Sequence, residues 1–151
     1  MEEDCMLILN TKGIIDYTEK TILGAKSRLI IVSPYVDIKE SILRLIESKC
    51  KEGVKVMIVC GKTLLKETEL VKILNFENCE LYYNHYVHAK IILNDYYGII
   101  SSMNLYEASE KNYEVGVLLS ENYDKKEFDA LEIEFNRILR NSEQYRVDLT
   151  K

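Results

Sequence analysis

His88 and Lys90 stand two residues apart in the run YVHAKIILND, Ser102 and Asn104 two apart in GIISSMN, and Asn112 and Glu114 two apart at the start of NYEVGVLLS. In extended chain, residues i and i+2 share a face. The first run therefore sends Val87, Ala89, Ile91 and Leu93 one way and His88 and Lys90 the other. The last sends Tyr113, Val115, Val117 and Leu119 one way and Asn112 and Glu114 the other. Each pair alone is an ordinary feature of a solvated strand or turn. Together they form a set suited to phosphoryl transfer without a metal. An imidazole can attack phosphorus, Lys and Asn can hold the non-bridging oxygens, and a carboxylate can fix the imidazole tautomer.

These runs need a frame. Apolar spacing predicts a helix over about Ile14 to Lys26, then a buried strand RLIIVSPYV that ends at Pro34. Asp37 is expected to cap the next helix, IKESILRLIESKCKEG, with a stripe of Ile38, Ile42, Leu45 and Ile46 and an end at Gly53. A second buried strand, VKVMIVCG, completes a strand–helix–strand unit, the pattern of a parallel pair with a right-handed crossover. A short helix over Lys66 to Leu74 and the strand CELYYN precede the three polar-pair runs. A last amphipathic helix places Phe128, Leu131, Ile133, Phe135, Ile138 and Leu139 largely on one side. The class is α/β, and no internal repeat is present.

The 151 residues, 47% of them hydrophobic, suit one domain over 1–151, and a single Pro with six scattered Gly leaves no linker composition. The start MEEDCMLILN has neither the basic segment nor the long apolar core of a secretory signal, and no run approaches a bilayer span. A soluble, cytoplasmic protein is expected. Cys5, Cys50, Cys60 and Cys79 lie far apart without C-x-x-C spacing, which points to buried reduced thiols and away from a zinc site. No metal and no cofactor is expected. The net charge of −5 opposes nucleic acid as a partner, though binding depends on a local patch and not on the total.

The stretch H88-A-K90-I-I-L-N-D95, then S101-S102-M-N104 and N112-Y-E114-V-G, resembles the H-x-K-x4-D, G-S/G-x-x-N and N-x-E elements of the phospholipase D superfamily. The resemblance covers nearly all of the chain from about Ile14 to Leu119. It implies a phospholipase D-like domain with a mixed central sheet flanked by helices on both faces. It makes His88 the catalytic histidine and Lys90 the phosphate-binding lysine, with Ser102, Asn104 and Asn112 beside the phosphate. Glu114 would orient the histidine. Asp95 would be structural, its parity opposite to that of His88. The chain departs from the pattern at Ser101, where the family usually has Gly; a Cβ there could narrow the approach of phosphate to the backbone.

The mechanism implied by the resemblance uses two histidines, one to attack phosphorus and one to protonate the leaving oxygen. The chain has only His85 and His88, and His85, three residues away, points to the opposite face of an extended strand. A homodimer that sets His88 of each copy in one site answers the count. The expected activity is thus that of a metal-independent phosphodiesterase, a nuclease cleaving DNA or RNA through a phosphohistidine. Two alternatives stand beside it. One is a catalytically weak module that binds nucleic acid or a partner protein. The other is a phospholipid headgroup hydrolase, disfavoured by the lack of a basic amphipathic helix.

Overall fold

A strand covered on both faces reads as an unbroken aliphatic run, and RLIIVS is one: Leu29, Ile30, Ile31 and Val32 are each at most 1% exposed. In the computed structural model, which describes residues 5–61, 67–105 and 111–146, this run is the strand β2 (Arg28–Ser33). It follows β1 (Leu7–Leu9) and α1 (Thr11–Leu23) and leads to α2 (Glu40–Lys51), β3 (Lys55–Cys60), α3 (Glu67–Asn75) and β4 (Cys79–Tyr83). Then come β5 (Ile91–Leu93), β6 (Tyr97–Ser101), β7 (Gly116–Ser120), α4 (Lys125–Arg140) and β8 (Glu143–Gln144).

All eight strands form one mixed sheet in the order β1-β7-β6-β5-β2-β3-β4-β8. β2, β3 and β4 run parallel, as the crossover pattern requires, and β5, β6 and β7 form an antiparallel meander beside β2. Leu29 and Ile31 share one core with Ile14 and Ile22 of α1, Leu43 and Ile46 of α2 and Ile73 of α3. Ile30 and Val32 share the other with Phe128, Leu131 and Phe135 of α4. Helices therefore cover both faces of the sheet. Among the described residues no helix is long and apolar enough to cross a membrane.

Local chemistry sets the helix ends. The Asn10 side chain accepts from Gly13 N–H at 2.9 Å and starts α1. α2 stops at Gly53, whose φ of +90° suits only a residue without Cβ; its N–H reaches Cys50 O and that of Val54 reaches Lys49 O. The start of α2 differs from expectation: Lys39, not Asp37, is the N-cap residue, and its side chain makes no capping bond. Lys66, the expected start of α3, lies outside the described residues. Ile133 is 65% exposed on the outer side of α4, so it is not part of that helix's buried stripe. Cys50 and Cys60 are buried and Cys79 is half-buried, but Cys5 is exposed, against the expectation of buried thiols throughout.

Asp95 lies just past β5, at the opposite end of that strand from His88. Its carboxylate accepts from Lys26 N–H at 2.8 Å, from Ser27 N–H at 3.1 Å and from the Ser27 hydroxyl, so it fastens the turn between α1 and β2. Partial burial pushes this carboxyl up, but the Ser27 hydroxyl and the backbone N–H groups together outweigh that and hold it below its ordinary value of 3.8. A depressed carboxyl contributes stability that is present above its unfolded value and lost as pH falls through the folded one. Asp95→Asn should cost about 1 kcal/mol near neutral pH, at the low end for charge-assisted bonds because the turn is solvated. Denaturant unfolding of both proteins should show the gap constant from about pH 7 to 5 and closing below about pH 4. A gap that widens in acid would contradict this role.

Candidate active site

Register decides what meets at the end of the sheet. Ile91 of β5 faces Ile100 of β6, and Ile100 faces Val117 of β7. The start of β5, the end of β6 and the start of β7 therefore fall at one edge, and Val32 opposite Ile91 brings the end of β2 to the same place. His88 and Lys90 precede β5, Ser102 and Asn104 follow β6, and Asn112 and Glu114 precede β7. The structure brings all three polar pairs to this edge.

None of the pairs sits inside a regular strand, although the sequence pattern places them there. β5 is only Ile91–Leu93. Continuing its pairing with β2 would set Ala89 against Pro34, which has no N–H to give. The alternation nevertheless persists without the ladder. Val87, Ala89 and Ile91 pack beneath α4, which leaves His88 exposed and Lys90 half-buried on the other side. The Lys90 ammonium donates to the His88 carbonyl at 3.0 Å, and Ser101 N–H reaches Lys90 O at 3.3 Å. His85 lies in a turn with Tyr86 and not in a strand; both are exposed, with ring centroids 5.5 Å apart.

The far side of the site is clasped to α1. The Thr11 hydroxyl donates to Asn112 O at 2.6 Å and accepts from Glu114 N–H at 2.9 Å. The Ser102 hydroxyl accepts from Val115 N–H at 3.1 Å and donates to the Glu114 carboxylate. The Asn112 residue itself is exposed. Glu114 was expected to orient His88, but within one chain its partner is Ser102, and the His88 imidazole has no hydrogen-bond partner among the described residues. Asn104 is placed by a zip between two loops. The buried Ser33 hydroxyl accepts from Leu105 N–H at 3.0 Å, and Leu105 O accepts from Asp37 N–H at 2.9 Å. Thr11 and Ser33 position the site, yet neither is visible in the motif spacing, because each acts on a segment distant in sequence.

Ser101, the departure from the pattern, points to the α1 face and pairs across the ladder with Gly116. A Cβ on Gly116 would meet the Ser101 Cβ at 2.9 Å and Ile100 O at 3.0 Å. The extra carbon is thus taken up by the glycine opposite. The Ser101 hydroxyl accepts from Met103 N–H at 3.1 Å and turns the chain toward Asn104.

Beside Lys90 and Asn104 a cavity of about 180 Å³ opens between α1, α2 and the sheet edge. Its walls include Ile14, Ile15, Ile38, Ile42, Met103 and Leu105. Among the described residues no three His, Cys, Asp or Glu side chains are grouped as a metal site.

The family described as "Cardiolipin synthase, PLD-like domain" matches residues 19–139. No curated protein matches the sequence. Among solved structures, the phospholipase D family member Nuc from Salmonella typhimurium is similar at 18% identity and a TM-score of 0.74, over 94% of this chain and 98% of that one. NucT from Helicobacter pylori is similar at 15% identity and a TM-score of 0.76, over 93% and 99%. TrmBL2, an archaeal chromatin protein whose structure shows a mode of DNA binding, is similar at 14% identity and a TM-score of 0.70, over 95% of this chain and 55% of that one. At these identities the likeness is one of fold.

The Ser101–Gly116 pair makes a prediction about compensation. Gly116→Ala should destabilise by about 1–3 kcal/mol through overpacking, and Ser101→Gly added to it should recover about half of that or more. Denaturant melts of the two single variants and the double variant measure the coupling. Strictly additive costs would mean that the two residues do not share the space.

Proposed function

The chain belongs to the PLD-like domain family, and on that premise we propose that it is a metal-independent phosphodiesterase, a cytoplasmic nuclease acting as a single domain on DNA or RNA. The observation that carries the reading is the meeting of His88, Lys90, Ser102, Asn104 and Glu114 at one edge of β5, β6 and β7. In this reading His88 attacks phosphorus and forms a phosphohistidine as the ester oxygen leaves. Lys90 and Asn104 hold the non-bridging oxygens, with Ser102 and Asn112 beside them. A second histidine gives the leaving oxygen its proton and later takes one from the water that hydrolyses the intermediate.

That second histidine is the reason for a homodimer. His85 lies in an exposed turn beside Tyr86 and outside the motif pairs, and the chain has no third histidine. A two-fold axis over the sheet edge supplies another His88 with no further sequence. The exposed His88 imidazole, with no hydrogen-bond partner among the described residues, suits a group that is completed by the second copy. The two copies of Lys90 make such a groove locally positive despite the net charge of −5. TrmBL2 favours a second reading, a domain that only binds DNA, because a protein of this fold is described as a DNA-binding chromatin protein.

A cleavage panel of single- and double-stranded DNA and RNA in chelator separates the two. The enzyme reading expects cleavage in chelator and its loss by about 1,000-fold or more in His88→Ala; strict dependence on magnesium or zinc would sink it. Glu114→Gln should slow turnover by about ten- to a thousandfold with the fold intact, as loss of a charge that stabilises imidazolium would. The shared site is tested by mixing under conditions of subunit exchange. Excess His88→Ala should extinguish wild-type activity, since a mixed dimer keeps only one His88. Activity that simply tracks the amount of wild-type chain would point to a monomeric site.

A further inference from the structure

The cavity beside Lys90 and Asn104 has no part in the chemistry above, although it shares two residues with it. Whatever fills it must be carried by the same molecule as the phosphate or lie directly against it. At about 180 Å³ it is larger than the space of about 150 Å³ that admits a benzene-sized ring, and far too small for a base pair. Its walls are aliphatic side chains and Met103, which suit the flat faces of a ring.

The polar groups narrow the choice. Glu19, Asp37 and Lys39 line the cavity besides Lys90; Lys90 is engaged by the scissile phosphate in the proposed reading, and the two carboxylates against the one remaining ammonium make a further phosphate a poor occupant. Among the described residues Asn104 Oδ1 is buried without a hydrogen-bond partner, a state that disfavours itself and is relieved by rotating the amide toward a donor. An acyl chain would fill the walls and leave the Asn104 amide facing hydrocarbon. A nucleobase has apolar faces and an edge that carries N–H donors.

We propose that this cavity receives the base next to the scissile phosphate, so that the substrate is nucleic acid with that base unpaired. The proposal rests on the nuclease reading and adds a site to it. Phosphate held by Lys90 and Asn104 sets the backbone, while the base turns between α1 and α2. A base inside a duplex reaches the cavity only by leaving its stack, which makes single strands the preferred substrate.

The test uses the non-cleaving His88→Ala protein and a single-stranded oligonucleotide that carries 2-aminopurine at one position and a terminal dye. Anisotropy of the dye reports binding, and 2-aminopurine emission reports transfer of the base from its stack into the protein. Both should change together, with duplex bound at least about tenfold more weakly. Ile42→Phe fills the cavity, and Ser41→Trp covers it from an exposed position that does not endanger the fold. Either should abolish the 2-aminopurine response and weaken binding by about tenfold. A response that survives both changes, or equal affinity for single strand and duplex, would overturn the cavity assignment while leaving the nuclease reading intact. Binding of a lysophospholipid that both variants block, with no 2-aminopurine response, would overturn it in favour of an acyl chain. No oligonucleotide binding, together with no cleavage in the panel, would remove both readings.

Discussion

Ile91 opposite Ile100, and Ile100 opposite Val117, are three aliphatic residues with no chemistry of their own. A slip of one residue in either pairing would turn a strand's apolar row to the wrong face. It would also carry His88 and Lys90, or Asn112 and Glu114, away from the edge where they meet. The two cores forbid such a slip, because Ile92, Ile99 and Leu118 are needed beneath α1 and α2 while Ile91, Leu93 and Leu119 are needed beneath α4. The site is thus a consequence of core packing read out at the ends of three strands.

Around that register the fold adds clasps instead of rigidity at the reactive groups. Thr11 ties α1 to the segment before β7, Ser33 ties the end of β2 to the loop after β6, and Asp95 ties the far end of β5 to the turn before β2. Each is a polar side chain bonded to the backbone of a distant segment, the arrangement that holds irregular chain in place where no ladder can. His88 is left outside these clasps. In the proposed reading His88 carries a phosphoryl group and meets its copy in a second subunit, a part better served by a fixed backbone and an open side chain than by a buried imidazole.

Much of this was legible in the sequence because it rests on period and order. The parallel unit from Arg28 to Cys60 follows from two aliphatic runs about a helix, and the polar pairs follow from spacing of two. A structural part for Asp95 was implied by the family resemblance, and the parity of its strand set it away from His88. What could not be read depends on neighbours. The shortness of β5 fits Pro34 just past the end of the adjacent β2, and the acceptance of Ser101 comes from Gly116 across the ladder. β1 and β8, with three and two residues, carry too little pattern to be seen. Ile133 misled because an apolar residue near a stripe is not thereby buried. Motif order does not say which side chains touch within one subunit, so the hydrogen bond from the Ser102 hydroxyl to the Glu114 carboxylate could not be read from it.

The central claim is that two copies of this chain build one phosphohistidine site. The most direct measurement is the stoichiometry of phosphoryl label on His88, read by mass spectrometry after quenching the enzyme in alkali during turnover of a phosphodiester with a good leaving group. The account predicts label on His88 at no more than one phosphoryl group per two chains. Label approaching one per chain would contradict the shared site, and turnover without any labelled histidine would contradict the covalent mechanism.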